Sequence, residues 1–349
     1  MNYKNKPVIV NGKFLLHRIS GVERYARELL RELDKIVVQE ELIIAIPPEL
    51  SEYPDYKNIK IIKVGMLHNN LWEQISFPIF VRKMKGISLN LCNTAPLISP
   101  GIVCIHDVKI RVRPYDYKKL FLLWYRLLFY NECKRAQRLI TVSYFSKREI
   151  CRYYKVNSNC ITVIPNAWQH IERIRFDENT LNKYGLDKGK YYFSISSLEP
   201  NKNLEWIVHI AKQREDQLFV VAGTVNRKVF ANSLKFTCAR NLRLLGYISD
   251  EESKTLMRYC KAFVFPSFYE GFGIPPLEAL GVGAKEIITS DIPVMREIFE
   301  SYASYVNPYR FEMPVDEVII SESSRRRILK KYSWNMSAKD IIGLLSKTT

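Results

Sequence analysis

Residues 263–278 read FVFPSFYEGFGIPPLE. Phe263, Val264 and Phe265 form an apolar run suited to a buried strand, and Pro266 with Ser267 ends it. A loop containing Glu270, Gly271, Phe272 and Gly273 follows, then Pro275 and Pro276. Proline is at home in the first turn of a helix, where its missing N–H would have no partner anyway. A helix is therefore predicted from Pro276 to Ala284. Strand, glycine turn and helix N-terminus together present free backbone N–H groups, a seat for an anion or a polar ligand. Two carboxylates bracket the turn: Glu270 in the loop and Glu278, eight positions later, on the first helical turn. Two readings stand at this point. Either the pair binds a ligand, or Glu270 is a solvated loop charge and Glu278 complements the helix dipole.

Around this stretch lies a chain of 349 residues with 47% hydrophobic content, a length that suits two domains. Its formal net charge of +17 points to a polyanionic partner: nucleic acid, an anionic membrane surface or a phosphorylated substrate. The seven cysteines are scattered, odd in number and without a CxxC pair. Most sit in apolar surroundings, so buried free thiols in a reducing compartment are expected, and zinc is not. The N-terminus lacks the apolar core of a signal peptide. No run reaches the roughly 18 apolar residues that a membrane span needs. A protein in the cytoplasm is expected, either free or peripheral on the inner face of the membrane.

In chain order the pattern is βα throughout. Val8–Val10 opens a first strand, and Val22–Leu33 is a helix with Ser20 as N-cap. Strands are predicted at 42–46, 59–64, 89–91, 102–105, 139–142 and 160–164, and a helix at 71–84. A second series has strands at 191–196, 218–222, 242–245, 262–265 and 286–289, and a helical tail at 321–346 interrupted near Tyr332. This rhythm implies two parallel sheets with functional loops at the carboxyl ends of the strands. Residues 171–189 are polar and irregular and read as an inter-domain linker. Residues 118–138 form a long helix whose middle, LFLLWYRLLFY, is apolar nearly all round. Between 109 and 140 stand nine Lys or Arg and two acidic residues. The helix is either buried between sheet and neighbours or lies on an anionic membrane.

The longer segment FVFPSFYEGFGIPPLEALGVG resembles the E-x7-E segment of the retaining glycosyltransferases of family 4. SGVERYARELL (20–30), VCIHDV (103–108), ITVSYFSKREI (140–150) and VIPNAW (163–168) also match, in family order. So do SLEPNKNLE (197–205), LGYISDEE (245–252), SDIPVMREI (290–298) and YSWNMSA (332–338). The mannosyltransferase-like branch of bacterial surface-polysaccharide synthesis is the most similar. The resemblance implies a GT-B fold: two Rossmann-like α/β domains facing across a cleft. The acceptor-binding domain is expected at 1–170, the linker at 171–189 and the nucleotide-sugar domain at 190–325. A C-terminal helix, 326–349, is expected to return to the first domain.

The resemblance also implies roles. Glu278 is expected on the donor ribose and Glu270 on the donor sugar. Backbone groups of Gly271, Phe272, Gly273 and Ile274 are expected at the sugar too, where side chains would block approach. Lys202 and Gly21 are expected at the diphosphate, Tyr247 at the base, and His106 at the sugar. Read without the resemblance, Lys202 is an exposed turn lysine, Gly21 a helix-start glycine, and His106 a capping histidine. The chain departs from the family at Asn201, where many relatives carry a cation at or near this position. Ser196 and Ser197 offer none, and Arg227 is one substitute. The expected reaction moves a hexose, mannose from GDP-mannose, to a lipid-linked oligosaccharide by front-face displacement, with no metal or other cofactor. Alternatives are a UDP- or dTDP-sugar donor, or an inactive sugar-nucleotide-binding scaffold. An anionic membrane surface is an expected partner, and nucleic acid is not.

Overall fold

A computed structural model describes residues 6–38, 41–195, 199–223, 239–314 and 316–348. The chain separates into two compact units. The first comprises Met1–Val108, Leu123–Asn166 and Trp334–Thr349; the second comprises Lys109–Leu122 and Ala167–Ser333.

The first unit is built on seven parallel strands: β1 (Val8–Asn11), β2 (Leu42–Ile46), β3 (Lys60–Lys63), β4 (Ile87–Asn90), β5 (Ile102–Cys104), β6 (Arg138–Thr141) and β7 (Ile161–Val163). Their spatial order is 3-2-1-4-5-6-7. Central strands such as Val8-Ile9-Val10 are buried at every position, the pattern of a parallel sheet covered on both faces. The sheet reverses its direction of growth between β1 and β4. The Gly21–Asp34 helix starts with Ser20 and Glu23 in a capping box, which satisfies donors that would otherwise be orphaned. Tyr25 on its buried face meets the Trp334 ring at 6.0 Å, and Ser337 donates to the Pro165 carbonyl at 2.8 Å. The Trp334–Thr348 helix thereby packs within this unit.

The second unit has six strands: β8 (Tyr191–Ile195), β9 (Leu218–Ala222), β10 (Leu242–Gly246), β11 (Ala262–Phe265), β12 (Ile287–Ser290) and β13 (Ser304–Val306). The order is 10-9-8-11-12-13, all parallel, with the reversal between β8 and β11. Trp206, Ile207 and Ile210 of the Leu204–Gln213 helix bury against Phe219, Val221 and Val264 of the sheet.

Two parallel sheets with covering helices are the α/β architecture that the βα rhythm implies. Other expectations fall differently. Residues 171–189 sit inside the second unit and carry a Gln169–Arg173 turn of 3-10 helix and a Thr180–Tyr184 helix. Lys109–Leu122, from the part of the sequence assigned to the first domain, belongs to the second unit. The 71–84 helix is divided, with a π-helical turn at Trp72–Ser76. Of the six described cysteines, Cys104 and Cys260 are buried, Cys160 is exposed and three are intermediate. Cys238 lies outside the described residues, as do Ser196, Ser197 and Arg227. No helix among the described residues is long and apolar enough to cross a membrane.

The Lys119–Arg135 helix is half buried, not enclosed. It buries Leu128, Phe129 and Glu132 and exposes Leu120, Leu123, Leu127 and Tyr130. Glu132 is fully enclosed, and its oxygens make no well-formed hydrogen bond among the described residues. Burial pushes its carboxyl well above the usual range, the Glu73 carboxylate pushes the same way, and the Ala95 amide offsets little of it. A carboxyl with a raised folded-state pKa costs stability as the pH rises above its unfolded value of about 4.3. Glu132→Gln is expected to stabilise the protein by roughly 1–3 kcal/mol at pH 8, with the gain shrinking toward pH 4. Urea melts at the two pH values check this, and a gain independent of pH would contradict it.

Candidate functional site

In an open parallel sheet, ligands bind beyond the carboxyl ends of the strands where the strand order reverses. In the second unit this crevice lies between β8 and β11. The loop after β8 carries Asn201 and Lys202, and the loop after β11 carries Glu270. The structure brings the last two into contact: Lys202 Nζ lies 2.8 Å from Glu270 Oε1, with both side chains mostly buried. Lys202 Nζ also stands 5.0 Å from the centre of the Phe265 ring. A lone ammonium fixed beside a carboxylate can meet both the charge of a phosphate and the hydroxyls of a sugar.

Asn201 explains why the two loops meet. Its side chain is 1% exposed and its Nδ2 donates to the Tyr269 carbonyl at 2.7 Å, while its backbone carbonyl accepts from the Phe268 amide at 2.9 Å. Asn203, in the left-handed region at φ 56°, donates to the Pro266 and Pro308 carbonyls at 3.0 and 2.8 Å. Asn201 thus faces the interior as a fastener. The basic side chains beside these loops come from elsewhere in the sequence. Lys109 Nζ is 3.0 Å from Glu199 Oε2, and the Arg113 guanidinium lies 4.4 Å from the centre of the Phe268 ring. Arg113 also pairs with Asp116 at 2.7 Å. The sequence reading did not single out either cation.

The helix that was expected from Pro276 spans Ile274–Val282, with the two prolines in its first turn. Gly273 precedes it at φ 103°, and a Cβ there would fall 2.4 Å from Met295 Cε. The positive φ of the turn accounts for glycine at 273 without a bound ligand, since the Met295 methyl at the far end of its flexible side chain can move aside. Phe272 is buried and sets its ring edge-on to Tyr332 at 5.3 Å. Glu278 is 9% exposed, and its Oε1 lies 2.5 Å from Nε2 of His170, a buried residue that the sequence reading left inside a segment it treated as the end of one domain and the start of a linker. Tyr247 follows Gly246 at the end of β10 and is 77% exposed.

Gly21 and His106 lie in the first unit. Gly21 opens the Gly21–Asp34 helix, and Glu23 in the same turn accepts from the Ser20 amide at 3.1 Å. Burial would raise the Glu23 pKa, but hydrogen bonds from His17 and Ser20 hold it below its usual value. His106 is buried after β5, and its Nε2 donates to the Leu91 carbonyl at 2.8 Å. Burial lowers its pKa, so the neutral ring carries its proton on Nε2. Near the first unit's own strand reversal, Asn11, Lys13, His17, Glu73 and Thr94, together with Phe14, Leu91 and Cys92, line a small cleft of mixed character. Lys13 pairs with Glu73 at 2.8 Å, and Thr94 donates to Glu73 at 2.7 Å. Among the described residues, no group of three or more His, Cys, Asp or Glu side chains could hold a metal ion.

Two family descriptions match the chain in succession: "Glycosyltransferase Family 4" over residues 19–168 and "Glycosyl transferases group 1" over residues 176–346. The O-antigen chain mannosyltransferase RfbU of Salmonella typhimurium is 30% identical, over 70% of this chain and 69% of its own. The serotype-specific mannosyltransferase WbdA of Escherichia coli is 24% identical over 95% of this chain, which spans only 43% of WbdA. Among solved structures, the sucrose-phosphate synthase of Thermosynechococcus elongatus superposes with a TM-score of 0.73 at 13% identity, covering 98% of each chain. That likeness shows the GT-B fold.

The fastening role of Asn201 is directly testable. Asn201→Arg, which inserts the cation that the family resemblance leads one to expect near this position, is expected to destabilise the protein by about 3–5 kcal/mol, the cost of an uncompensated buried charge. It is expected to leave affinity for GDP and UDP no better than in the wild type. Denaturant melts and titration calorimetry check this; a normally folded variant that binds either nucleotide more tightly would refute it.

Proposed function

The chain belongs to glycosyltransferase family 4, the glycosyl transferases group 1, and from that premise we propose that it transfers mannose from GDP-mannose, with retention, to a lipid-linked oligosaccharide during O-antigen or capsule assembly. The observation that carries the proposal is the Lys202–Glu270 pair at the strand reversal of the second unit. The mannosyltransferase names of RfbU and WbdA support the choice of sugar.

In this mechanism the acceptor hydroxyl attacks the anomeric carbon on the face from which the diphosphate leaves. The new C–O bond forms as the bond to the β-phosphate oxygen breaks. A phosphate oxygen of the departing diphosphate takes the hydroxyl proton. Lys202 stabilises the charge that develops on that group, the kind of electrostatic assistance that is often the largest single contribution to catalysis. Glu270 accepts from the hydroxyls of the sugar, beside the backbone of Gly271 to Ile274. Glu278 accepts from the ribose, and Tyr247 meets the base. Gly21 and His106 keep the diphosphate and sugar roles that the resemblance implies. The proposal requires no metal ion.

The lipid-linked acceptor motivates a membrane partner. Leu120, Leu123, Leu127 and Tyr130, at steps of three and four, give the Lys119–Arg135 helix an apolar exposed row. Lys118, Lys119, Lys134 and Arg135 are exposed at its two ends, and its one carboxylate, Glu132, is buried. Apolar contact flanked by cations suits an anionic lipid surface.

Two measurements test this reading. In a transfer assay with GDP-mannose, Lys202→Ala and Glu270→Ala are each expected to lower kcat/KM at least 100-fold, the scale of losing a positioned charge at a transition state. Full activity in both variants would discard the site. Sedimentation with phosphatidylglycerol-containing liposomes is expected for the wild type, weaker in high salt, and lost when Leu120, Leu123 and Leu127 are changed to Asp. Equal sedimentation of the triple variant would discard the membrane-facing assignment.

A further inference from the structure

Three consecutive side chains just ahead of the second sheet are each pinned to another element of the same unit. Trp168 Nε1 donates to the Leu329 carbonyl at 3.2 Å, Gln169 Nε2 to the Tyr332 carbonyl at 2.9 Å, and His170 Nε2 meets Glu278 Oε1 at 2.5 Å. His170 is 2% exposed and sits in the Gln169–Arg173 turn. This turn lies against the Ile274–Val282 helix because residue 281 is glycine: a Cβ there would come within 2.6 Å of the Trp168 ring. Glycine inside a helix costs about 1 kcal/mol relative to alanine. Here that cost accompanies the close approach that brings His170 onto Glu278.

From this arrangement we infer that His170 is a positioning residue for the donor nucleotide. It acts through Glu278, fixing the orientation in which the carboxylate meets the ribose hydroxyls. A glutamate side chain has three rotatable bonds, and fixing them before the ligand arrives removes that ordering cost from binding. A hydrogen bond from a buried partner is a direct way to do so, and a carboxylate can accept from several donors at once. The inference rests on the reading of Glu278 as the ribose-binding residue. It adds a residue of different type, from outside the E-x7-E segment, on which that function depends.

The test compares binding of GDP and UDP with binding of their 2′,3′-dideoxy forms, by titration calorimetry on the full chain. The wild type is expected to prefer the ribonucleotide, and Glu278→Ala to lose that preference. His170→Phe keeps the ring volume but removes the donor. It is expected to weaken ribonucleotide binding about five- to tenfold, the effect of one ordering hydrogen bond, and to leave dideoxynucleotide binding within about twofold of the wild type. His170→Gln, whose amide reaches a similar position, is expected to restore most of the preference. Should Phe not be accommodated, His170→Leu carries the same comparison. In the Glu278→Ala background, replacing His170 is expected to change nothing further. Equal weakening of both nucleotide forms by His170→Phe means that the histidine only supports packing, and it overturns the inference. No effect at all overturns it too. A wild type that does not distinguish ribo from dideoxy forms instead removes the reading of Glu278, and the role of His170 with it.

Discussion

Asn201 holds together the two loops on which the candidate site depends. Its side chain bonds to the Tyr269 carbonyl and its backbone carbonyl to the Phe268 amide, so the loop after β8 is stitched to the loop after β11 by two short contacts. Lys202 and Glu270 are the next residues along on the two sides of that seam. Their contact is therefore imposed by the backbone, not created by their attraction. This distinction matters energetically. An ion pair at a surface contributes only about 0–1 kcal/mol, and one that is largely buried has to offset the desolvation of both partners. Such a pair is a poor candidate for organising two loops but a good one for being held by them. The ammonium and carboxylate then stand ready for a ligand that carries both anionic oxygens and hydroxyls.

The same logic separates the two glutamates of the central segment. They stand eight residues apart in sequence but are held by unrelated devices. Glu270 meets a lysine from a neighbouring strand's loop. Glu278 meets a histidine from a segment that precedes the whole second sheet. The spacing of the pair follows from the loop and the first turns of a helix. The orientation of each carboxylate is set by a tertiary partner.

That is also the boundary of what could be read from the chain. The strands of both sheets were legible because parallel strands buried on both faces are continuous Val, Ile and Leu runs, and Leu42–Ile46, Leu218–Ala222 and Ala262–Phe265 are located to the residue. The three-residue β13, Ser-Tyr-Val, lacks the aliphatic pair that marked the equally short β5 (Ile-Val-Cys). Residues 171–189 have the polar composition of a linker, yet they lie inside the second unit, as do residues 167–170, which the expected boundary left in the first domain. Trp168 and His170 act singly there, by contacts to residues more than 100 positions away, and no local pattern announces such contacts. Lys202, Glu270 and Glu278 could be picked out from motif and position. The inward direction of Asn201 could not, since an asparagine in a turn looks the same whether it faces solvent or interior. Glu132 gave a similar false impression, counting as one of two carboxylates in a basic stretch although it is enclosed and burial pushes its carboxyl well above the usual range.

The departure from the family at residue 201 then has a physical explanation. A side chain that is 1% exposed and donates to the opposite loop cannot be replaced by a guanidinium without either burying a charge or opening the seam. Positive charge near these loops has to arrive by tertiary placement. Lys109 and Arg113 do arrive that way, from a segment lying far ahead of the second sheet in sequence. Each is already matched, Lys109 by Glu199 and Arg113 by Asp116, so neither adds an unbalanced charge to the second unit. Arg113 over Phe268 packs its guanidinium plane against the very residue whose amide Asn201 fastens. Arg113 therefore braces the loop that presents Glu270, Lys109 braces the facing loop through Glu199, and Lys202 is the cation that the loop geometry sets directly beside Glu270.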